Sequence, residues 1–205
     1  MVRIGRRGGM DERRGEVTRL LSAWNDSDEA REKLWALLYQ ELKDLARGVA
    51  RGQRRVAQPT SLVHKAYLRL LDSEVIWSDR RHFFAVAARA MRFVLADEAR
   101  RQLAQKRGSG EVSSLEDGLS NMADPAAFRP EEVLAVHQAL ERLAEIRPRH
   151  ERVVELRYFA GLSVNETAEL LEVEPRTIVR DWKAIKIWLH GELAVGREHG
   201  QGAPL

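Results

Sequence analysis

Between Gly161 and Leu189 the chain reads as two short helices joined by a tight break, a unit that few folds accommodate. Leu162 to Leu171 is one amphipathic segment. Glu172-Val173-Glu174 interrupts it, and Pro175 opens the next helix with a φ angle already suited to it. In that second helix Ile178, Trp182, Ile185 and Leu189 follow each other at spacings of 4, 3 and 4, which makes a stripe for burial. Arg176, Thr177, Arg180, Lys183, Ala184 and Ile187 fall away from the stripe. Gly161 just ahead suits a helix C-cap. This is the pattern of a helix-turn-helix.

Such a unit makes DNA the leading candidate partner. The rigid fork of an arginine takes guanine O6 and N7 together or grips a phosphate, whereas lysine supplies mainly a point charge. A helix N-terminus adds free backbone N–H groups for a phosphate. The competing reading is a solvated charged face over a packed stripe. The short break, Gly161 and the scarcity of acids on the outer face, where only Asp181 is counted, weigh against it. Two residues are out of place. Glu172 lies where glycine would relieve a left-handed backbone, and Glu174 stands at an N-cap that favours Ser, Thr, Asp or Asn. Each is expected to weaken phosphate contact more than sequence preference.

Only 6 prolines and a charged fraction of 32% over 205 residues suit compact helices better than a sandwich or barrel. The net charge of +3 conceals segregation. Residues 47–55 hold Arg47, Arg51, Arg54 and Arg55 with no acid; residues 89–107 hold six basic and two acidic residues. Residues 108–130 oppose Glu111, Glu116, Asp117 and Asp124 to Arg129 alone. Local basic patches on a modestly charged chain fit a defined polyanion surface. The absence of cysteine excludes disulfides, thiolate zinc sites and cysteine nucleophiles. No 18-residue apolar run is present, so no membrane span is expected. Met1 to Arg14 lacks the apolar core of a signal peptide. A cytoplasmic location is the expectation, and the Asn165-Glu166-Thr167 triplet then carries no glycan.

Apolar periodicity divides the rest. Val17, Leu20, Leu21 and Trp24 form one stripe, and Leu34, Leu37, Leu38, Leu42 and Leu45 another, with Asn25 to Asp28 as break and cap. A third helix starts near Thr60 with Leu62, Val63, Ala66, Tyr67 and Leu70 inward. Asp72 to Arg81 reads as a loop around Trp77. A fourth helix, about His82 to Gln105, buries Phe83, Val86, Ala87, Ala90, Phe93 and Val94. Residues 108–130 are rich in Gly, Ser, Asp and Pro and too long for a loop within one small domain. The expected fold is all-α. A basic disordered tail covers 1–15, a helical bundle 16–107, a flexible linker 108–130, a helix-turn-helix domain 131–192 and a disordered tail 193–205.

In the first bundle Arg89, Arg92, Arg100 and Arg101 share a helix with Phe84 and Phe93, and Trp77 lies at its base. Arginines beside exposed aromatics suit unpaired nucleic acid, since an extruded base needs a stacking surface and its phosphate a charge. The plainer reading keeps Phe83 and Phe93 in the core and lets Trp77 cover the end of the bundle.

Taken together, Pro59 to Leu70, Arg81 to Arg92 and the helix-turn-helix resemble a bacterial RNA polymerase sigma factor of the extracytoplasmic-function (ECF) type, over about residues 16–192. The resemblance implies sigma region 2 in the first domain and region 4 in the second. It implies core RNA polymerase and promoter DNA as partners, and an anti-sigma factor as a further one. Leu62, Val63, Lys65, Ala66, Arg69 and Leu70 would dock on the beta-prime coiled coil, and the second domain on the beta flap. Trp77, Arg80 and Arg81 would capture a flipped base of the −10 element, with Arg89, Arg92, Arg100 and Arg101 on nearby backbone. Arg176, Thr177, Arg180 and Lys183 would enter the major groove of the −35 element. Here His64-Lys65 replaces the acidic or glutamine-rich start usual for the polymerase-docking helix, and Glu172 and Glu174 replace the usual glycine and serine of the turn.

Such a protein binds rather than catalyses. No cofactor or metal is expected: His64 and His82 lack ligand spacing, no nucleophile sits with a base, and the Asp97-Glu98 pair reads as solvated. A stand-alone helix-turn-helix regulator and a sigma-like protein-binding adaptor remain the alternatives.

Overall fold

The computed structural model describes residues 8–50, 56–73, 75–108 and 129–199, and among these all regular structure is helical. The all-α expectation holds. The order is α1 (Gly8–Ser22), α2 (Asp28–Val49), α3 (Pro59–Leu71), α4 (Arg80–Gly108), α5 (Pro130–Ile146), α6 (Pro148–Val154), a π-helical turn (Glu155–Phe159), α7 (Val164–Leu170) and α8 (Pro175–His199).

Local chemistry explains most of these boundaries. The four prolines among the described residues each open a helix, at Pro59, Pro130, Pro148 and Pro175, where the missing N–H costs nothing. Ser27 caps α2 by accepting from the Ala30 N–H at 3.2 Å, and Asp28 and Glu29 complement the positive end of the helix dipole. Ser163 and Glu166 form a reciprocal capping box at the start of α7. Backbone helix extends further than the expected tails allow, from Gly8 at one end to His199 at the other. Met10 to Arg14 and Glu192 to Glu198 are rich in good helix formers, which carry the helix past the last buried stripe residue. The expected linker lies outside the described residues except at its ends, where Gly108 finishes α4 and Arg129 precedes α5.

α1 to α4 pack around Trp24, whose indole meets Tyr67, Trp77 and Phe83 edge-on at centroid separations of 6.4, 5.6 and 5.9 Å. Leu34, Leu38, Leu42, Leu62, Leu70, Met91 and Leu95 complete that core. α5 to α8 close over Leu140, Leu143, Val153, Ile178 and Ile185. The two groups do not stand apart. α4 lies along α5, α2 and α4 both touch the π-helical turn, and the buried apolar residues of both groups form one cluster. The π-helical turn left no mark in the sequence pattern. Its extra residue appears in the Ala160 N–H bond to the Glu155 carbonyl at 2.8 Å, and it brings Glu155, Leu156 and Phe159 inward together. Gly161 ends the segment at φ 72°, a conformation suited to glycine.

Candidate nucleic-acid interface

The geometry of α8 follows its sequence. Ile178 and Ile185 are fully buried, while Trp182 and Leu189 pack against the core from partly buried positions. Arg176, Arg180 and Lys183 are exposed, Thr177 is partly so, and the Arg180 side chain is 75% accessible. Val179 and Ile187 add apolar surface to that side of the helix.

Asp181 is not on the outer face where the charge count placed it. It is 3% exposed and accepts from Arg149 Nε at 3.0 Å, with His150 Nε2 3.6 Å away. The pair fixes the start of α6 against α8. The signal was present: Asp181 falls three residues after Ile178 and four before Ile185, on the buried stripe itself.

The turn between α7 and α8 closes as a Schellman motif. The Val173 N–H reaches the Ala168 carbonyl at 2.9 Å and the Glu172 N–H reaches that of Glu169 at 3.2 Å. Glu172 takes φ 53°, so the position that favours glycine holds a glutamate. Hydrogen bonds from the Ser163 hydroxyl and N–H hold the Glu166 carboxyl below the usual glutamate range.

The loop ahead of α4 is anchored on both sides. Asn25 Nδ2 donates to the Val75 carbonyl at 3.3 Å, and Asp79 Oδ1 accepts from the His82 N–H at 2.8 Å. The Ser78 N–H points to His82 Nδ1 at 3.3 Å, and burial pushes the His82 pKa down, in keeping with an accepting ring nitrogen. Between these anchors Trp77 turns inward. It is 8% exposed, lies 5.2 Å from Phe83 centroid to centroid, and its indole N–H has no partner. The expected stacking surface is therefore a core residue in this arrangement, because two aromatic neighbours and the loop anchors pull it in. The exposed apolar side chain of the loop is Ile76, 84% accessible, which sequence reasoning passed over in favour of the larger ring.

The arginines of α4 divide into three sets. Arg80 pairs with Glu41 and stacks on Phe84 at 4.9 Å. Arg100 and Arg101 stay at the surface, each bonded to an acid one turn back, Asp97 and Glu98. Arg81, Arg89 and Arg92 face the C-terminal helices. Arg81 pairs with Glu169 of α7, and Arg89 lines clefts with Glu141, Glu145, Glu151 and Glu155. Arg92 is 4% exposed, so the expectation of a solvent-facing phosphate contact fails in this arrangement. Its guanidinium donates to Glu155 at 2.7 Å, to Glu151 at 3.1 Å and to His137 Nδ1 at 2.9 Å. Burial, then Arg92, lowers the His137 pKa to about 4, so the ring is neutral and its Nδ1 accepts, since arginine only donates. Burial lifts Glu155 to about 7 against the opposing pull of Arg92.

A family model for ECF sigma factors matches residues 14–195. The chain belongs to the ECF sigma factor family. No curated protein and no solved structure matches it. Membership makes it a transcription initiation factor that binds DNA and RNA polymerase.

For this ECF sigma factor the helix α3, expected to meet polymerase, presents a different face from the one first assigned. Leu62, Val63, Ala66 and Leu70 are core residues, at most 2% exposed, and are not available to a partner. They form the i, i+1, i+4, i+8 stripe that holds α3 on the bundle. The outward side carries His64, Leu68 and Arg69, with Lys65 partly exposed. Asp97 and Glu98 of α4 are not merely solvated: Asp97 pairs with Arg69, and Glu98 accepts from Lys65 at 2.7 Å. Of the basic groups on α3, Lys65 and Arg69 are thus matched by acids within the sigma factor. Among the described residues no cluster of His, Asp or Glu is placed to hold a metal, and no helix is long and apolar enough to cross a membrane.

Proposed function

We propose that this ECF sigma factor directs promoter-specific initiation by reading two DNA elements with two helical units. The C-terminal unit, α5 to α8, reads duplex −35 DNA through Arg176, Thr177, Arg180 and Lys183. The N-terminal unit, α1 to α4, holds the melted −10 strand through the loop carrying Ile76 and the arginines of α4. The exposed row on α8 above a fully buried stripe is the observation that supports this reading most directly. It presents a rigid helix whose base-reading side chains have no structural duty in the fold, apart from the 3.9 Å approach of Arg180 to Asp181.

Polymerase supplies the remaining binding energy. The outward face of α3 around His64, Leu68 and Arg69 suits the beta-prime coiled coil, and the C-terminal unit suits the beta flap. An anti-sigma factor would have to cover these same faces. None of these roles needs bond chemistry: recognition of duplex sets position, and capture of an unstacked base offsets a melting cost of a few kcal/mol.

Arg180→Ala tests the reading. The side chain is exposed, so the fold and thermal midpoint should be unchanged. Loss of one bidentate base contact is expected to weaken −35 protection by roughly ten-fold or more in footprinting with core polymerase. Unchanged affinity and promoter choice would remove α8 from the −35 role.

A further inference from the structure

One face of α4 bears Arg81, Arg89 and Arg92, and opposite it the C-terminal unit places carboxylates from three helices and the π-helical turn. Glu169 of α7 takes Arg81; Glu151 of α6 and Glu155 of the π-helical turn take Arg92; Glu141 and Glu145 of α5 border the cleft next to Arg89. Guanidinium forks bind carboxylate and phosphate with the same planar geometry. We propose that the C-terminal unit masks the −10 face of α4 in the free chain, its carboxylates occupying the arginine sites that strand phosphates take in the open form. This rests on the −10 reading of α4 above and adds its regulation: closure and strand binding exclude each other.

The chemistry of the contact suits a latch. Arg92, Glu151 and Glu155 are buried together, so separating the units returns all three to water at once. A buried ion network recovers its desolvation cost on opening, which an apolar interface of the same size does not. It therefore specifies one closed arrangement without making that arrangement hard to leave. His137 belongs to the same device, because its neutral ring accepts the third arm of Arg92 and lies edge-on to Phe93 at 5.0 Å. A polyanion strand, or polymerase holding the two units apart, would displace the acids.

The test uses the full-length chain without polymerase, a fluorescein-labelled random single-stranded DNA dodecamer as probe, and small-angle scattering for compactness. Glu151→Gln with Glu169→Gln removes two charges, one that holds Arg92 and one that holds Arg81, while keeping side-chain shape. This pair is expected to raise the radius of gyration and tighten strand binding about ten-fold, as for a competent state populated near a tenth in the wild type. Glu29→Gln with Glu32→Gln, on the exposed side of α2, makes the same charge change away from α4 and should do neither. Should circular dichroism show the first pair unfolded, Glu169→Gln carries the test, since it frees Arg81 at an exposed site; roughly two-fold tighter binding is expected. Expansion without tighter binding, no change in either quantity, or equal tightening in the α2 control each overturns the mask. Reconstitution of the wild type with core polymerase on a random promoter library separates the two ideas. If no promoter is selected, the sigma reading itself fails; if promoters are selected while the Gln variants bind strand no better, only the mask fails.

Discussion

Arg92 donates through Nε to Glu155 at 2.7 Å, from a position on α4 that charge counting alone assigns to a DNA phosphate. The two side chains are 5% and 6% exposed and 63 residues apart in the chain. A pair so enclosed is costly to form and is tolerated only when every arm is satisfied. Here the guanidinium has Glu155, Glu151 and His137, and one oxygen of Glu155 is left without a partner. Burial, only partly offset by Arg92, is why the carboxyl holds its proton to a higher pH.

Closure should therefore depend on pH, with a sign fixed by these shifts. Glu155 is lifted from 4.5 to about 7, so the closed form holds the extra proton and its advantage declines as pH rises through about 7. His137 is lowered from 6.5 to about 4, so its contribution is present above 6.5 and is lost as pH falls toward 4. Between about 4.5 and 6.5 the two slopes oppose one another, and above 6.5 only Glu155 acts. The groups around Glu155 are Arg92, Arg89 and His82 from α4 and Glu151 and Arg152 from α6. Scattering from the free chain should show a level plateau in mildly acid solution, a modest expansion between about 6.5 and 7, and no further change above that. In Glu155→Gln this near-neutral expansion should vanish; its persistence would assign the transition to another group.

Glu172→Gly should stabilise the protein. A non-glycine residue at φ 53° carries a left-handed penalty of about 1 kcal/mol, and glycine removes it while gaining some unfolded-chain entropy. The Schellman hydrogen bonds use backbone atoms and survive the change. Because the greater freedom of glycine in the unfolded chain offsets part of that gain, the thermal midpoint is expected to rise by only about 1–2 °C. Removing a carboxylate from the turn should also strengthen −35 binding, most at low salt where its repulsion of the phosphates is least screened. A lower midpoint would mean that Glu172 makes a contact beyond its backbone.

Much of this was legible because helices declare themselves through period. The stripes on α1, α2 and α8, the break at Asn25 to Asp28 and the proline starts are local features, and the structure follows them. Partner choice is not local. The sequence places Arg81, Arg92, Arg100 and Arg101 on one helix, but which of them meets solvent depends on a second group of helices packing against α4. Burial also inverted two assignments: Leu62, Val63, Ala66 and Leu70 were given both a core stripe and a polymerase contact, and one side chain cannot serve both. Trp77 looked exposed beside polar neighbours in sequence, yet Trp24 and Phe83 enclose it. Asp181 could have been placed correctly from its register on the Ile178–Ile185 stripe.

Asp181→Ala should loosen the C-terminal unit selectively. The carboxylate is buried and its loss leaves Arg149 and His150 without their partner at the α6–α8 contact. Arg149 is about half exposed and rehydrates, which limits the destabilisation to about 1–3 kcal/mol. Hydrogen exchange should quicken in α6 and α8 while α2 and α3 stay protected. Uniform loss of protection throughout the chain would contradict a local role.

Ile76 and Trp77 separate recognition from folding within one loop. Trp77→Ala empties a site walled by Trp24, Phe83 and His82, and large aromatic truncations in such places cost about 3–5 kcal/mol. Its effect should fall on every step of initiation together and scale with the loss of folded protein. Ile76→Ser removes an apolar tip that touches little, so the thermal midpoint should shift by no more than the equivalent of about 0.5 kcal/mol. If the tip packs against an unstacked −10 base, permanganate reactivity of the melted strand should drop several-fold while closed-complex affinity is retained. Loss of closed-complex affinity to the same extent would place Ile76 in duplex docking instead. Unchanged reactivity would leave the arginines of α4 as the only −10 contacts of this unit.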